Sequence, residues 1–169
     1  MKFAVAAALS LALIAPAAEA AKPAPRVGIT SFDQLAKPLP LPYDEAANAD
    51  RTVAAAKAKA RREGKRLLID LGGNWCPDCR ILAGLIERPE VKRFVEANYV
   101  EVTVDVGRFD KNLQIPRHYG IAKPEGVPAV LIVDPRTDRL INAGHVTALS
   151  DARHMSPQAL ADWLAQWTR

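Results

Sequence analysis

Leu67-Leu68-Ile69-Asp70-Leu71-Gly72-Gly73-Asn74-Trp75-Cys76-Pro77-Asp78-Cys79-Arg80 is the stretch on which the reading of this 169-residue chain turns. Leu67 to Leu71 is apolar except for Asp70, which reads as a buried strand. Gly72-Gly73-Asn74 breaks the run. Ile81, Leu82, Leu85 and Ile86 then recur with helical spacing between Cys79 and Glu87. The chain's only two cysteines therefore sit where a strand gives way to a helix. Cys76 falls at the helix N-terminus, where unpaired backbone amides and the helix dipole favour an exposed, reactive thiolate. Cys79 lies one turn down the same face. Pro77 suits the first helical turn because it has no amide hydrogen to leave unpaired.

Three chemistries compete for this pair. A structural disulfide closing so short a loop adds little stability. A chain with 49% hydrophobic and 25% charged residues builds a core without such staples. A zinc site usually takes four ligands, and there is no second cysteine pair; His118, His145 and His154 show no ligand spacing. A redox dithiol is the expectation, with Cys76 attacking, Cys79 resolving, and neither metal nor cofactor required.

Outward from this centre, Lys2, the apolar run from Phe3 to Ala15, Pro16 and the small-x-small pattern Ala18-Glu19-Ala20 read as an export signal, residues 1–20. Thirteen apolar residues rise only about 20 Å as a helix, against a hydrocarbon core of about 30 Å, so no stable membrane insertion is expected. The expected destination is the bacterial periplasm. Residues 21–43 carry five prolines and read as a linker or a strap across the surface. Residues 44–169 form the expected domain. Within it the pattern predicts a helix from Asp44 to Gly64, with Asp44 or Asn48 as cap. A helical piece starting at Pro89 and a strand from Tyr99 to Val106 follow. Next come a short helix from Asp110 to Tyr119, a strand from Pro128 to Val133 paired with Arg139 to Ala143, and a last helix capped by Ser156. This order predicts a mixed β-sheet covered by helices. The net charge of +4 is scattered, without a basic stripe interleaved with aromatics, so nucleic acid is not an expected partner. Nothing signals a dimer, and a monomer is expected.

The central stretch resembles the active-site strand, turn and helix of the thioredoxin superfamily. That signature is an apolar strand with an acid six residues before the first cysteine, then Trp-Cys-x-x-Cys-Lys/Arg. Asp70, Trp75 and Arg80 occupy the acid, tryptophan and basic positions. Tyr119-Gly120-Ile121 followed by Gly126-Val127-Pro128 is similar to a second family segment, whose proline follows a cis peptide bond and faces the cysteines. The resemblance implies the thioredoxin fold and dithiol exchange with disulfide-containing exported proteins, with electrons from a thiol donor. It casts Asp70 as the base that helps Cys79 lose its proton. Trp75, Val127 and Pro128 become the surface that meets the partner.

The departures are informative. Asp78 lies between the cysteines, where its charge is expected to raise the Cys76 thiol pKa. Residues 122–125 enlarge the loop before Gly126, and Ala129 stands where the family usually has threonine. Glu101 falls where thioredoxin carries the lysine that partners the buried acid, so Asp70 and Glu101 become two acids near one site, one of which should hold its proton more tightly. These acids make the chain similar to exported, DsbD-type reductases, and electron donation is the expected direction. A disulfide oxidant or isomerase, or a non-catalytic binding module on the same scaffold, remains the alternative.

Overall fold

The computed structural model describes residues 20–168, so the export signal read over residues 1–20 lies outside the described residues except for Ala20. Four strands form one sheet in the order β2-β1-β3-β4. These are β1 (Arg66–Gly72), β2 (Tyr99–Asp105), β3 (Ala129–Asp134) and β4 (Arg139–Leu140). The pair β1–β2 is parallel, while β1–β3 and β3–β4 are antiparallel. Among the described residues five α-helices accompany the sheet: α1 (Ala49–Glu63), α2 (Pro77–Ile86), α3 (Pro89–Asn98), α4 (Gln114–His118) and α5 (Pro157–Gln166).

Strand β1 is covered on both faces, which is why it reads as an unbroken apolar run. Leu67, Ile69 and Leu71 join Val53 and Ala60 of α1, Ile115 of α4, and Leu131 and Val133 of β3. Leu68 joins Leu82 and Leu85 of α2, Val91 and Val95 of α3, and Leu160 and Leu164 of α5. Asp70 shares the parity of Leu68 and is 1% exposed.

Helix α1 begins at Ala49, five residues later than Asp44. Asn48 caps it by accepting from the Arg51 amide, whereas the Asp44 carboxylate is spent on the Ala46 amide in a preceding turn. Gly64 ends it at φ 67°, a left-handed cap natural to glycine. The short helix α4 is also smaller than the expected 110–119. Gly107, Phe109 and Asn112 all have positive φ, and the chain wraps around Asp105, which accepts from the Gly107 amide and from Lys111 Nζ at 2.6 Å. Helix formation waits until Gln114.

Residues 21–43 lie along the domain and join its core. Ile29 and Leu35 are buried with α2 and α5 residues. Gln158 of α5 exchanges hydrogen bonds with the strap, accepting from the Val27 amide and donating to the Pro25 carbonyl. Arg80 donates to the carbonyls of Leu39 and Pro40, and Thr103 to that of Pro42.

Strand β4 is two residues long, shorter than the expected 139–143, because a side chain takes over its pairing. The Ile141 amide bonds the Ile132 carbonyl, but then Asn142, fully buried, turns inward. Its Oδ1 accepts from the Ile132 amide at 2.8 Å and its Nδ2 donates to the Val130 carbonyl at 2.8 Å, standing in for a strand backbone. Replacing Asn142 by alanine strands two buried backbone groups of β3. Asn142→Ala is expected to lower unfolding stability by about 2–4 kcal/mol in urea titration with an unchanged m-value; a loss under about 0.5 kcal/mol would show the pairing to be dispensable.

Candidate active site

The dithiol is held by the end of β1, the start of α2 and the turn before β3. Cys76 is the N-cap of α2: its Sγ accepts from the Cys79 amide at 3.1 Å, and Pro77 occupies the first helical position. Its thiol also faces the Val127 carbonyl, at 3.4 Å. The Val127–Pro128 peptide bond is cis. Cys76 is 3% exposed and Cys79 is fully covered, so the attacking sulfur is more sheltered than a helix-start cysteine suggests, because the Val127 carbonyl lies over it. Trp75, 40% exposed, folds back over Gly73, where a Cβ would lie 2.5 Å from its indole nitrogen. That nitrogen donates to the Gly107 carbonyl at 2.8 Å, and Arg108 stacks on the ring at 4.2 Å.

The two sulfurs sit in opposite electrostatic settings. Cys79's hydrogen bond holds the Cys76 thiol below its ordinary pKa; burial and the Asp78 charge oppose this, and the amides of Cys79 and Asp78 reinforce it. The Cys79 thiol is pushed far up, first by its bond to Cys76, then by burial and by Asp70. The Asp78 charge pushes the Cys76 thiol up, and the hydrogen bonds to Cys76 outweigh it. Sequence reasoning missed Arg153, whose guanidinium and backbone amide both bond the Asp78 carboxylate, with Nε at 3.0 and 3.1 Å from its two oxygens. Burial would raise Asp78, but Arg153 outweighs it and holds the carboxyl below its ordinary value. Arg153 arrives on a turn-rich connection between β4 and α5 without a sequence pattern, so no spacing could have pointed to it.

Asp70 lies under the dithiol with Glu101 beside it. The register pairs Asp70 with Thr103 and Leu68 with Glu101, so both acids project from the same side of neighbouring strands. Burial pushes Asp70 well above the usual carboxylate range and Glu101 adds to this; the hydrogen bond from Tyr43 works the other way. Burial pushes Glu101 up to about 7. Tyr43, also missed from sequence, donates to Asp70 Oδ2 at 2.9 Å. It is the aromatic that closes the proline-rich stretch, which is the one signal that could have drawn attention to it.

Among the described residues no group of three or more His, Cys, Asp or Glu is placed to hold a metal ion, and no helix is long and apolar enough to cross a membrane. His118 bonds Asp138, His154 bonds Asp151, and His145 packs against Trp167.

A carboxyl with its folded pKa raised binds protons more tightly folded than unfolded, so its contribution to stability is full at low pH and is lost as pH rises. For Glu101 that window runs from about 4.5 to about 7. The melting temperature of the reduced protein is expected to fall across it, and Glu101→Gln to flatten the fall and melt higher than wild type at pH 8. Parallel curves for the two proteins would refute the assignment.

The thioredoxin-like family model matches residues 47–135. The disulphide isomerase of Xylella fastidiosa Temecula1 is similar over 75% of this chain and 96% of its own, at 35% identity and a TM-score of 0.70. A Pseudomonas aeruginosa protein of unknown function aligns over 72% of this chain and 85% of its own, at 18% identity and a TM-score of 0.39. No curated protein matches the chain. With the family match spanning more than half of the sequence and the Xylella structure nearly whole upon it, this chain belongs to the thioredoxin-like family, Cys76 and Cys79 forming its Cys-x-x-Cys motif.

Proposed function

We propose that this protein reduces disulfides of exported partner proteins by dithiol exchange through Cys76 and Cys79. Thiol–disulfide oxidoreduction is the activity of the family; the direction, the partners and the periplasmic setting are our reading. The observation that carries it is the N-cap geometry of Cys76, whose sulfur takes the Cys79 amide and lies against the cis-Pro128 turn. The Cys76 thiolate attacks a partner disulfide, joining Cys76 to one partner sulfur and releasing the other as a thiolate. Cys79 then loses its proton and attacks Cys76 Sγ. The Cys76–Cys79 disulfide forms, the second partner thiolate departs, and two electrons have passed to the partner. The backbone at Val127 and Pro128 and the exposed face of Trp75 offer an extended peptide its footing.

The direction is argued from charge. A strong oxidant holds its reduced form stable as a thiolate, in surroundings that favour the anion. Here Asp78 offsets part of the helix's help to Cys76, and Asp70 stands against ionisation of Cys79. The dithiol form is thus less favoured, and electrons leave it more readily. The export reading rests on the apolar run from Phe3 to Ala15 and its small-x-small end. A second reading, disulfide isomerase, is supported by the likeness to the Xylella protein and by the lowered Cys76 thiol.

Trp75 adjoins Cys76, so tryptophan fluorescence in thiol/disulfide buffers measures the couple directly. Electron donation predicts a reduction potential of about −250 mV or below. A value between about −120 and −180 mV would favour the isomerase or oxidant, and no reversible two-electron transition would leave a binding module. Arg153→Gln, which leaves the Asp78 charge unopposed, is expected to slow alkylation of Cys76 by iodoacetamide at pH 7 by about 3- to 10-fold. An unchanged rate would show that Arg153 does not tune the thiol.

A further inference from the structure

Tyr43 lies outside the segment that carries the family signature, yet its phenol is buried at the centre of the site. It is 3% exposed and packs with Cys76 and Cys79. The backbone on either side is pinned to the active-site loop: the Tyr43 amide donates to Asn74 Oδ1 at 3.1 Å, and Asn74 Nδ2 returns a bond to the Tyr43 carbonyl at 2.8 Å. The hydroxyl donates to Asp70 Oδ2 at 2.9 Å and lies on the Cys79 side of the site. Both groups crowd Gly72 from the same side. A Cβ on Gly72 would lie 2.2 Å from Tyr43 Oη and 2.8 Å from Cys79 Sγ, so the space between phenol and thiol exists because residue 72 has no side chain.

The hydroxyl's placement is not explained by packing. A phenylalanine fills the same volume, and a buried phenol must find polar partners or lose stability. Those it has are an acid and a thiol. Asp70 Oδ1 is buried with no hydrogen-bond partner, so the carboxylate is secured at Oδ2 by Tyr43 and its basicity is not further quenched. The groups facing Asp70 are Glu101 from β2, Cys76 and Cys79 from the start of α2, and Tyr43 from the strap. No cation from these elements acts on it in that set.

We propose that Tyr43 is a positioning residue for the resolving step, its hydroxyl bridging Cys79 and Asp70 so that the thiol proton reaches the carboxylate. In that step the Cys79 S–H proton passes to Tyr43 Oη as the Tyr43 proton passes to Asp70 Oδ2, which leaves the phenol neutral. The Cys79 sulfur attacks Cys76 Sγ, the intramolecular disulfide forms, and the partner leaves as a thiolate. Asp70 later returns its proton to solvent. The first step, attack by the Cys76 thiolate, does not use Tyr43. The inference rests on the dithiol-exchange reading, and it gives the strap a share in the chemistry.

The two steps separate with 5,5′-dithiobis(2-nitrobenzoate). Cys76 releases one thionitrobenzoate on forming the mixed disulfide, and Cys79 releases the second on resolving it. In Tyr43→Phe the first phase is expected to stay within about twofold of wild type. The second slows by about 10- to 100-fold at pH 7, with its rise displaced to higher pH. Asp70→Asn slows the same phase, and the double variant is no slower than Asp70→Asn alone. In wild-type protein, deuterium oxide slows the second phase and not the first, a readout that needs no variant to fold. An unchanged second phase in Tyr43→Phe, equal slowing of both phases, or losses that multiply in the double variant would overturn the role of Tyr43. A wild-type protein that releases no second thionitrobenzoate would instead overturn the dithiol reading itself.

Discussion

A carboxylic acid buried in the middle of a doubly covered strand is the constraint around which this site is organised. Asp70 gives up hydration that an apolar neighbourhood cannot return, so the acid is stable there as a protonated group or with hydrogen bonds to its oxygens. Of the neighbours that could help, Glu101 makes ionisation harder still, where a lysine would have made it easier. What remains is a neutral donor, and the donor is a phenol delivered from outside the sheet. The strap has to be held in place for that phenol to arrive. Arg80, Asn74 and Thr103 do this from α2, the active-site loop and β2, each bonding a strap backbone group. The active-site loop and α2, which carry the dithiol, thus also hold the segment covering it.

The other end of the site has the opposite problem. Cys76 is helped toward the thiolate by the amides of α2, and a carboxylate two residues on acts against it. Asp78 is itself nearly buried, and a lone charge there would be costly. Arg153 reconciles the two by closing a forked pair on the carboxylate while its own side chain stays partly in water. The segment before α5 therefore has a definite task. It brings one backbone amide and one guanidinium to the base of the active-site helix, and its path past Ser150 presses against Gly126 in the turn leading to Pro128.

What sequence could reveal follows the range of the forces involved. β1, α2, α3 and α5 were legible because their apolar spacing, prolines and caps are local signals, and Cys76, Cys79 and Asp70 sit within one such run. The Glu101 position was legible through the resemblance, where thioredoxin carries a lysine, and the register of β1 and β2 puts it on the same side as Asp70. The N-terminus of α1 was misjudged because Asp44 and Asn48 are equally good caps in isolation, and only the preceding turn decides between them. α4 and β4 came out shorter because the competing interactions are long-range: a chain wrapping Asp105 in one case, a buried Asn142 replacing backbone in the other. No periodicity connects Tyr43 and Arg153 to the site, because they lie 27 and 75 residues from their partners Asp70 and Asp78.

The asymmetry between the two thiols follows first from their mutual hydrogen bond and then from the acid that each one meets. Cys76 has backbone amides and, through Asp78, a carboxylate already matched by a cation. Cys79 has a buried carboxyl and no cation among the groups acting on it. One thiol is therefore helped toward the thiolate, while the other is held toward its protonated form until a base takes its proton. That ordering is what a two-step exchange requires. Were Cys79 ionised first, it would compete for the partner from a fully covered position where no partner can reach it. Were Cys76 held as firmly neutral, nothing would begin. The bond between the two thiols and the burial of Cys79 set this sequence first and Asp70 adds to it, and the same carboxyl that helps suppress the Cys79 thiolate is the one able to accept its proton.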